Sequence, residues 1–178
     1  IVAVNGAGLW LVDQHVAHER VLFEGHVQTR KDRVVEGQRL LTPVVMELTP
    51  GQQALWERIR EELDGNGFEI DEMGPRTVAV KVAPAGIQMG DIEKLLQEIF
   101  DNVERESRQL SLEVLQEKIA ASVACHAAIK VNMPLTDDKM RWLLDRLAQT
   151  GNPSTCPHGR PIVLRYPLRD ILKSFKRI

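Results

Sequence analysis

Ile1-Val2-Ala3-Val4-Asn5-Gly6-Ala7-Gly8-Leu9-Trp10-Leu11-Val12-Asp13-Gln14-His15-Val16-Ala17-His18-Glu19 is the stretch from which the fold is read. Apolar residues dominate Ile1–Asn5 and Leu9–Val12, with Gly6-Ala7-Gly8 between them, which predicts a tight β-hairpin. After Asp13 the periodicity becomes helical. Val16, Val21, Leu22, Phe23 and Val27 suit one buried face of a helix from about Gln14 to Gln28. Asp13 stands at the strand-to-helix junction, where it serves either as a helix N-cap or as an exposed carboxylate ligand.

Outward from this core the pattern alternates. Thr29–Gly37 is charged and reads as a loop, and Pro43–Leu48 as a strand. Thr49-Pro50-Gly51-Gln52 supplies an N-cap, a first-turn proline and a capping-box glutamine for a helix to about Asp64, stopped by Gly65-Asn66-Gly67. Phe68–Asp71 and Thr77–Val82 form a second hairpin around Gly74-Pro75, and Asp91–Arg105 a further helix. Leu112–Ile129 is a long helix. Thr136 caps another that runs to about Gln149, Gly151–Arg160 is a loop, Pro161–Tyr166 a strand and Leu168–Phe175 a short last helix. The fold class is α+β. The expected organisation is two subdomains, 1–43 with 109–178 and an inserted 44–108, because ligand-type clusters flank a middle β-α-β-β-α run able to form its own layer pair.

At 178 residues and 43% hydrophobic, the chain can bury one large or two small cores. The net charge is -2, so bulk composition lacks the basic footprint of a free-standing DNA-binding domain. Any nucleic-acid contact must come from a local basic patch or another domain. No apolar run approaches a membrane span, and no signal-peptide pattern is present. Ile1 opens directly on a strand, which suggests a piece of a longer protein. Two cysteines do not make a disulfide framework; each beside a histidine, they read as thiolate ligands in a reducing compartment.

Candidate ligands fall in three clusters. In the first, His15 and Glu19 are four apart and share a helix face. His18 suits a surface or supporting role, and Glu24 is either a supporting residue or a solvated helix charge. In the second, Ala124-Cys125-His126, the cysteine is either a ligand or a small buried apolar residue among alanines. In the third, Cys156-Pro157-His158-Gly159-Arg160-Pro161, cysteine and histidine two apart can reach one ion, and Arg160 offers a cation near an anion. Thiolate, imidazole and carboxylate together suit zinc or another transition metal. Gln38-Arg39-Leu40-Leu41-Thr42-Pro43 is either a loop entering a strand, with Leu41 in the core, or a short plug for a partner's pocket. No hydrolytic triad or phosphate-binding glycine loop is evident.

These residues resemble a family. Asp13-Gln14-His15-Val16, two residues, Glu19, four residues, Glu24 resembles the endonuclease motif of the MutL mismatch repair family, with Val16 in place of alanine. Ala124-Cys125-His126 looks like its second motif, Cys156–Pro161 matches its third, and Phe175-Lys176-Arg177 looks like its terminal Phe-any-Arg motif. The resemblance is to the C-terminal domain of the endonuclease-active type and spans the chain.

The resemblance implies an inner dimerisation subdomain, 1–43 and 109–178, and an outer regulatory one, 44–108. It implies sequence-nonspecific nicking of one DNA strand, with Asp13, His15 and Glu19 catalytic. Asp13, His15, Glu19, Cys125, Cys156 and His158 would hold zinc and the manganese or magnesium used in cleavage. Glu24, His126, Arg160 and Arg177 would support the ligands or contact phosphate. Gln38, Leu41 and Pro43 match the family's sliding-clamp motif. Implied partners are a second copy, DNA, the replication clamp, MutS and an N-terminal ATPase domain, in a bacterial cytoplasm near the nucleoid. The helices around 112–149 and the terminal strand are the expected dimer contacts. Rival readings are a non-enzymatic, zinc-stabilised dimerisation module and a small-molecule metallohydrolase.

Overall fold

The computed structural model describes residues 1–32, 34–105 and 111–178. The chain divides into two compact units, Ile1–Glu24 with Ala128–Ile178, and Gly25–Ala127. These bounds differ from 43/44, and the expected division at 108/109 lies outside the described residues. The folding class is α+β, with antiparallel sheets and separate helices.

The first unit is built on strands β1 (Val2–Asn5), β2 (Gly8–Val12) and β6 (Val163–Pro167), in the order β1-β2-β6. The hairpin pairs Asn5 with Gly8, and β2 then pairs Val12 with Val163. Gly8 has φ +140°, and a Cβ there would lie 2.2 Å from the Tyr166 carbonyl oxygen, so this turn admits only glycine. Helix α1 (Gln14–Lys31) starts directly after β2; its residues to Glu24 belong to this unit. Helices α5 (Asp137–Ala148) and α6 (Leu168–Ser174) complete it. Thr136 caps α5 by accepting a hydrogen bond from Lys139 N. The core gathers Val12, Val16, Ala17, Leu143, Leu147, Cys156 and Ile162.

The opposite face of the sheet is different. Cross-strand partners share a face, so Val2, Leu11 and Leu164 form one row and Val4, Leu9 and Tyr166 a second. All six are apolar or aromatic, and Val2, Val4, Leu164 and Tyr166 are exposed.

The second unit has its own core. Strands β3 (Gly37–Glu47), β5 (Thr77–Pro84) and β4 (Glu69–Gly74), in that order, pack with α2 (Pro50–Gly65), α3 (Ile92–Arg105) and α4 (Leu112–Ala127). Ile59, Leu63, Val80, Ile92, Leu95 and Ile119 are among its fully enclosed residues. The capping box at Thr49 forms: Gln52 N donates to Thr49 Oγ1 at 3.2 Å, and Thr49 N donates to Gln52 Oε1 at 2.9 Å.

Two departures from expectation have local causes. Helix α1 continues past Gln28 to Lys31, with Arg30 and Lys31 complementing its C-terminal dipole and Gln28 donating to Asp32. Strand β3 starts at Gly37 instead of Pro43. Its pairing with β5 jumps from Arg39–Val82 to Val44–Val80, so Leu40, Leu41, Thr42 and Pro43 bulge opposite Lys81. Pro43 has no N–H to donate to a ladder, so the break falls where pairing would be weakest.

Candidate metal centre

Helix α1 presents its polar residues to two loops of the first unit. Asp13 caps the helix: its Oδ1 accepts from His15 N at 3.0 Å and Val16 N at 3.2 Å. Asp13 is exposed, and its Oδ2 makes neither of these bonds. Both roles open to Asp13 are thus compatible in one side chain.

The next residues hold the segment after Ala128. Gln14 Nε2 donates to the carbonyls of Val131 at 3.1 Å and Met133 at 2.7 Å. His15 Nδ1 lies 2.8 Å from the Ile129 carbonyl, which only accepts, so Nδ1 carries the hydrogen and Nε2 is the nitrogen that a neutral ring offers as a ligand. His18 does the reverse: its Nδ1 accepts from Ile129 N at 3.1 Å, leaving the hydrogen on Nε2. Burial, and secondarily the charge of His15, lower the His18 pKa from its ordinary value. Its neutral form is the one that accepts this bond.

One turn on, α1 meets the loop before β6. Glu19 is fully buried, and His158 Nδ1 lies 2.5 Å from its Oε1. Cys156 is buried beside them; ligand atoms of Glu19, Cys156 and His158 lie within 4.8 Å of one another. The loop is shaped for this. Cys156 N donates to the Arg160 carbonyl at 2.9 Å, Gly159 N to the Cys156 carbonyl at 2.9 Å, and Gly159 takes φ +80°, where a Cβ would be strained.

This set fits a zinc-type ion on two observations. The donors are a thiolate, an imidazole and a carboxylate, the usual zinc set. Glu19 Oε2 is also buried with no hydrogen-bond partner among the described residues, a costly state that a bound cation relieves.

The other sequence candidates are not members of this group. Asp13 and His15 stand outside the three-residue group. Cys125 lies half-buried on α4, in the second unit. Its neighbour His126 places Nε2 3.0 Å from Glu98 Oε2, and Ser122 Oγ donates to Glu98 Oε1 at 3.0 Å, tying α4 to α3. Glu24 binds backbone: its Oε2 accepts from Gly151 N at 2.7 Å and its Oε1 from Asn152 N at 3.3 Å. Arg160 and Arg177 are exposed. Gln38 and Pro43 are exposed on β3, and Leu41 is 99% exposed while Leu40 is buried at 8%. Leu41 therefore is not a core residue.

Sequence reading passed over Arg20. Its Nε donates to the Thr155 carbonyl at 2.7 Å, and its Nη1 lies 3.5 Å from Glu24 Oε1. The available signal was an arginine four residues before a glutamate on one helix face.

Residues 1–135 match the family described as MutL C terminal dimerisation domain. The chain is 61% identical over its full 178 residues to the DNA mismatch repair protein MutL of Koribacter versatilis (strain Ellin345), of which it covers 28%. It is 47% identical over its full length to DNA mismatch repair protein MutL of Acidobacterium capsulatum, and 35% identical to that of Shouchella clausii, covering 27% of each. The chain thus spans little more than a quarter of the length of these relatives. Among the described residues, no helix is long and apolar enough to cross a membrane. The family match over residues 1–135, with the identity to these relatives, gives one statement: this chain belongs to the MutL C-terminal dimerisation domain family.

Proposed function

We propose that this domain is a metal-dependent endonuclease that nicks one strand of DNA without sequence specificity, within a longer mismatch repair protein that works as a homodimer. The observation that carries the reading is the Glu19–Cys156–His158 group, with Glu19 and Cys156 buried, His158 at the surface, and one carboxylate oxygen unpartnered. Glu19, Cys156 and His158 would hold zinc. Asp13, with its exposed carboxylate, would serve the harder manganese or magnesium, whereas the His15 imidazole suits zinc. Such ions, when bound, polarise a phosphate oxygen and acidify water.

The chain's own residues do the rest. Ile129 fixes the His15 tautomer so that Nε2 is the ligand atom. Glu19 would anchor the centre from helix α1 through its unpartnered Oε2, while its Oε1 holds His158 Nδ1. Arg160 and Arg177, both exposed, would bind phosphate. The last nineteen residues carry six Lys or Arg against one Asp, in a chain that is acidic overall. This gives the local basic tract that bulk composition lacks.

The apolar sheet face of Val2, Val4, Leu9, Leu11, Leu164 and Tyr166 is the surface we assign to self-association. A second copy would cover it through a symmetric contact. The first unit is then the dimerisation and nuclease part and the second the regulatory part. In the second unit Gln38, Leu41 and Pro43 would dock the replication clamp through the extruded Leu41. DNA, MutS and an N-terminal ATPase domain are the remaining partners, and the bacterial cytoplasm the compartment.

The test uses the full-length protein and supercoiled plasmid with manganese. Nicking should require the metal and fall by orders of magnitude in Asp13→Asn. Full activity in that variant would remove Asp13 from the site and leave it a helix cap; a wild type that binds zinc but shows no metal-dependent nicking would make the non-enzymatic zinc module the correct reading.

A further inference from the structure

The loop Gly151–Arg160 carries Cys156 and His158 but has almost no regular structure, only the single bridge Thr155–Pro161. Ligand positions on such a loop are as good as its anchors. Internal bonds supply some of them: Asn152 Nδ2 donates to Thr155 Oγ1 at 2.9 Å, and Ser154 N to Asn152 Oδ1 at 3.3 Å. The external anchors come from α1. Glu24 takes the two backbone N–H groups where the loop leaves α5, at Gly151 and Asn152. Arg20 donates to the carbonyl of Thr155, the residue immediately before Cys156.

The two side chains also brace each other. They pair at 3.5 Å, and the Arg20 guanidinium lies over the Phe23 ring at 5.5 Å. The Arg20 side chain is only 9% exposed, which sets it apart from the solvated i, i+4 pairs that contribute little. Glu19, the third ligand, is the helical neighbour of Arg20. One two-turn segment of α1 therefore supplies one ligand and fixes the backbone that carries the other two.

We propose that Arg20 and Glu24 are positioning residues, a two-point staple that holds the Cys156–His158 loop at ligand distance from Glu19. They set the affinity and geometry of the metal centre without touching the ion. This rests on the metal-centre reading above.

The experiment compares full-length wild type with Arg20→Lys and Glu24→Gln. Both variants keep the size and polarity of the side chain, but lose the directed Nε–H or the full carboxylate. Zinc affinity is read by chelator competition, and coordination geometry by the visible absorption of the Co²⁺-substituted protein. Thr136→Ala, which removes the α5 cap in the same unit, is the control for general loosening. Each staple variant should bind zinc about 10–100-fold more weakly and shift the Co²⁺ spectrum, while the control does neither. Folded variants with wild-type affinity and spectrum would overturn the staple and leave the metal centre standing. Equal weakening in Thr136→Ala would reduce the effect to loss of stability and overturn it too. Wild type that binds neither zinc nor Co²⁺ would remove the metal centre itself, and the staple with it.

Discussion

The Cys156–Arg160 loop and the Leu40–Pro43 bulge are both short, irregular and proline-bearing, yet they behave in opposite ways. The first is tied from outside by Arg20 and Glu24 and from inside by its own turn, so that Cys156 and His158 face a buried carboxylate. The second breaks a strand pairing, buries Leu40 and pushes Leu41 almost wholly into solvent. A polar residue bonded to backbone fixes a loop for chemistry inside the fold. An unpaired apolar residue on a bulge is available to a pocket outside it. The contrast also shows that irregular structure does not imply looseness: what matters is where the backbone hydrogen bonds go.

The largest effect is expected at the inward site. Asp13→Asn keeps the capping oxygen but removes the charge, so thermal stability should hold while manganese-dependent plasmid nicking drops at least ~100-fold. A melting temperature that falls in step with activity would reduce Asp13 to a helix cap. Cys156→Ser replaces the soft donor and should weaken zinc retention by roughly 100-fold, measured by zinc quantitation after dialysis against chelator. Retention at the wild-type level would take the inward loop out of the metal centre and break the comparison.

At the bulge the expected loss is narrower. Gln38→Ala with Leu41→Ala should remove clamp stimulation of nicking while changing stability by less than about 0.5 kcal/mol, because Leu41 has no core contacts to lose. Leu40→Ala, one residue away but buried, should destabilise by about 2–3 kcal/mol in denaturant titration. If the two leucines cost the same, the inside-outside alternation at the bulge is wrong.

The smallest effect is a pH dependence in the second unit. His26 Nε2 lies 2.8 Å from Asn66 Oδ1, and Asn66 Nδ2 donates to the Glu62 carbonyl at 2.6 Å. Burial lowers the His26 pKa from its ordinary 6.5. The Asn66 hydrogen bond opposes this, and the nearby Arg30 charge adds to it. The unfolded chain then takes up a proton near pH 6.5 that the folded one refuses. His26 therefore costs no stability above that pH, and stability declines as pH falls below it toward the depressed folded value. Thermal melting between pH 7.5 and pH 5 should show a shallower decline in His26→Gln than in wild type, and parallel curves would remove His26 as the cause.

Much of this molecule could be read from local sequence because its causes are local. The capping box at Thr49, the cap at Thr136 and the glycine-centred first hairpin depend on residues within a few positions of one another. The nearness of Glu19 to Cys156 and His158 could be suspected from residue type and local clustering, since thiolate, imidazole and carboxylate are the donors that zinc takes. The role of Arg20 could not, because its partner is a backbone carbonyl 135 positions away, and a carbonyl has no sequence signature.

By itself the sequence determined most of the helices and hairpins, the donor chemistry and the pair of alternative roles open to several motif residues. Periodicity, capping and ligand softness are properties of side chains and near neighbours. Only the tertiary structure decided that Asp13 caps while keeping one oxygen exposed, and that His15 and His18 adopt opposite tautomers against the same residue. It also decided that Glu24 binds a loop and that Leu41 rather than Leu40 leaves the core. These outcomes depend on backbone groups and strand register brought together across long stretches of chain, and those are set by packing.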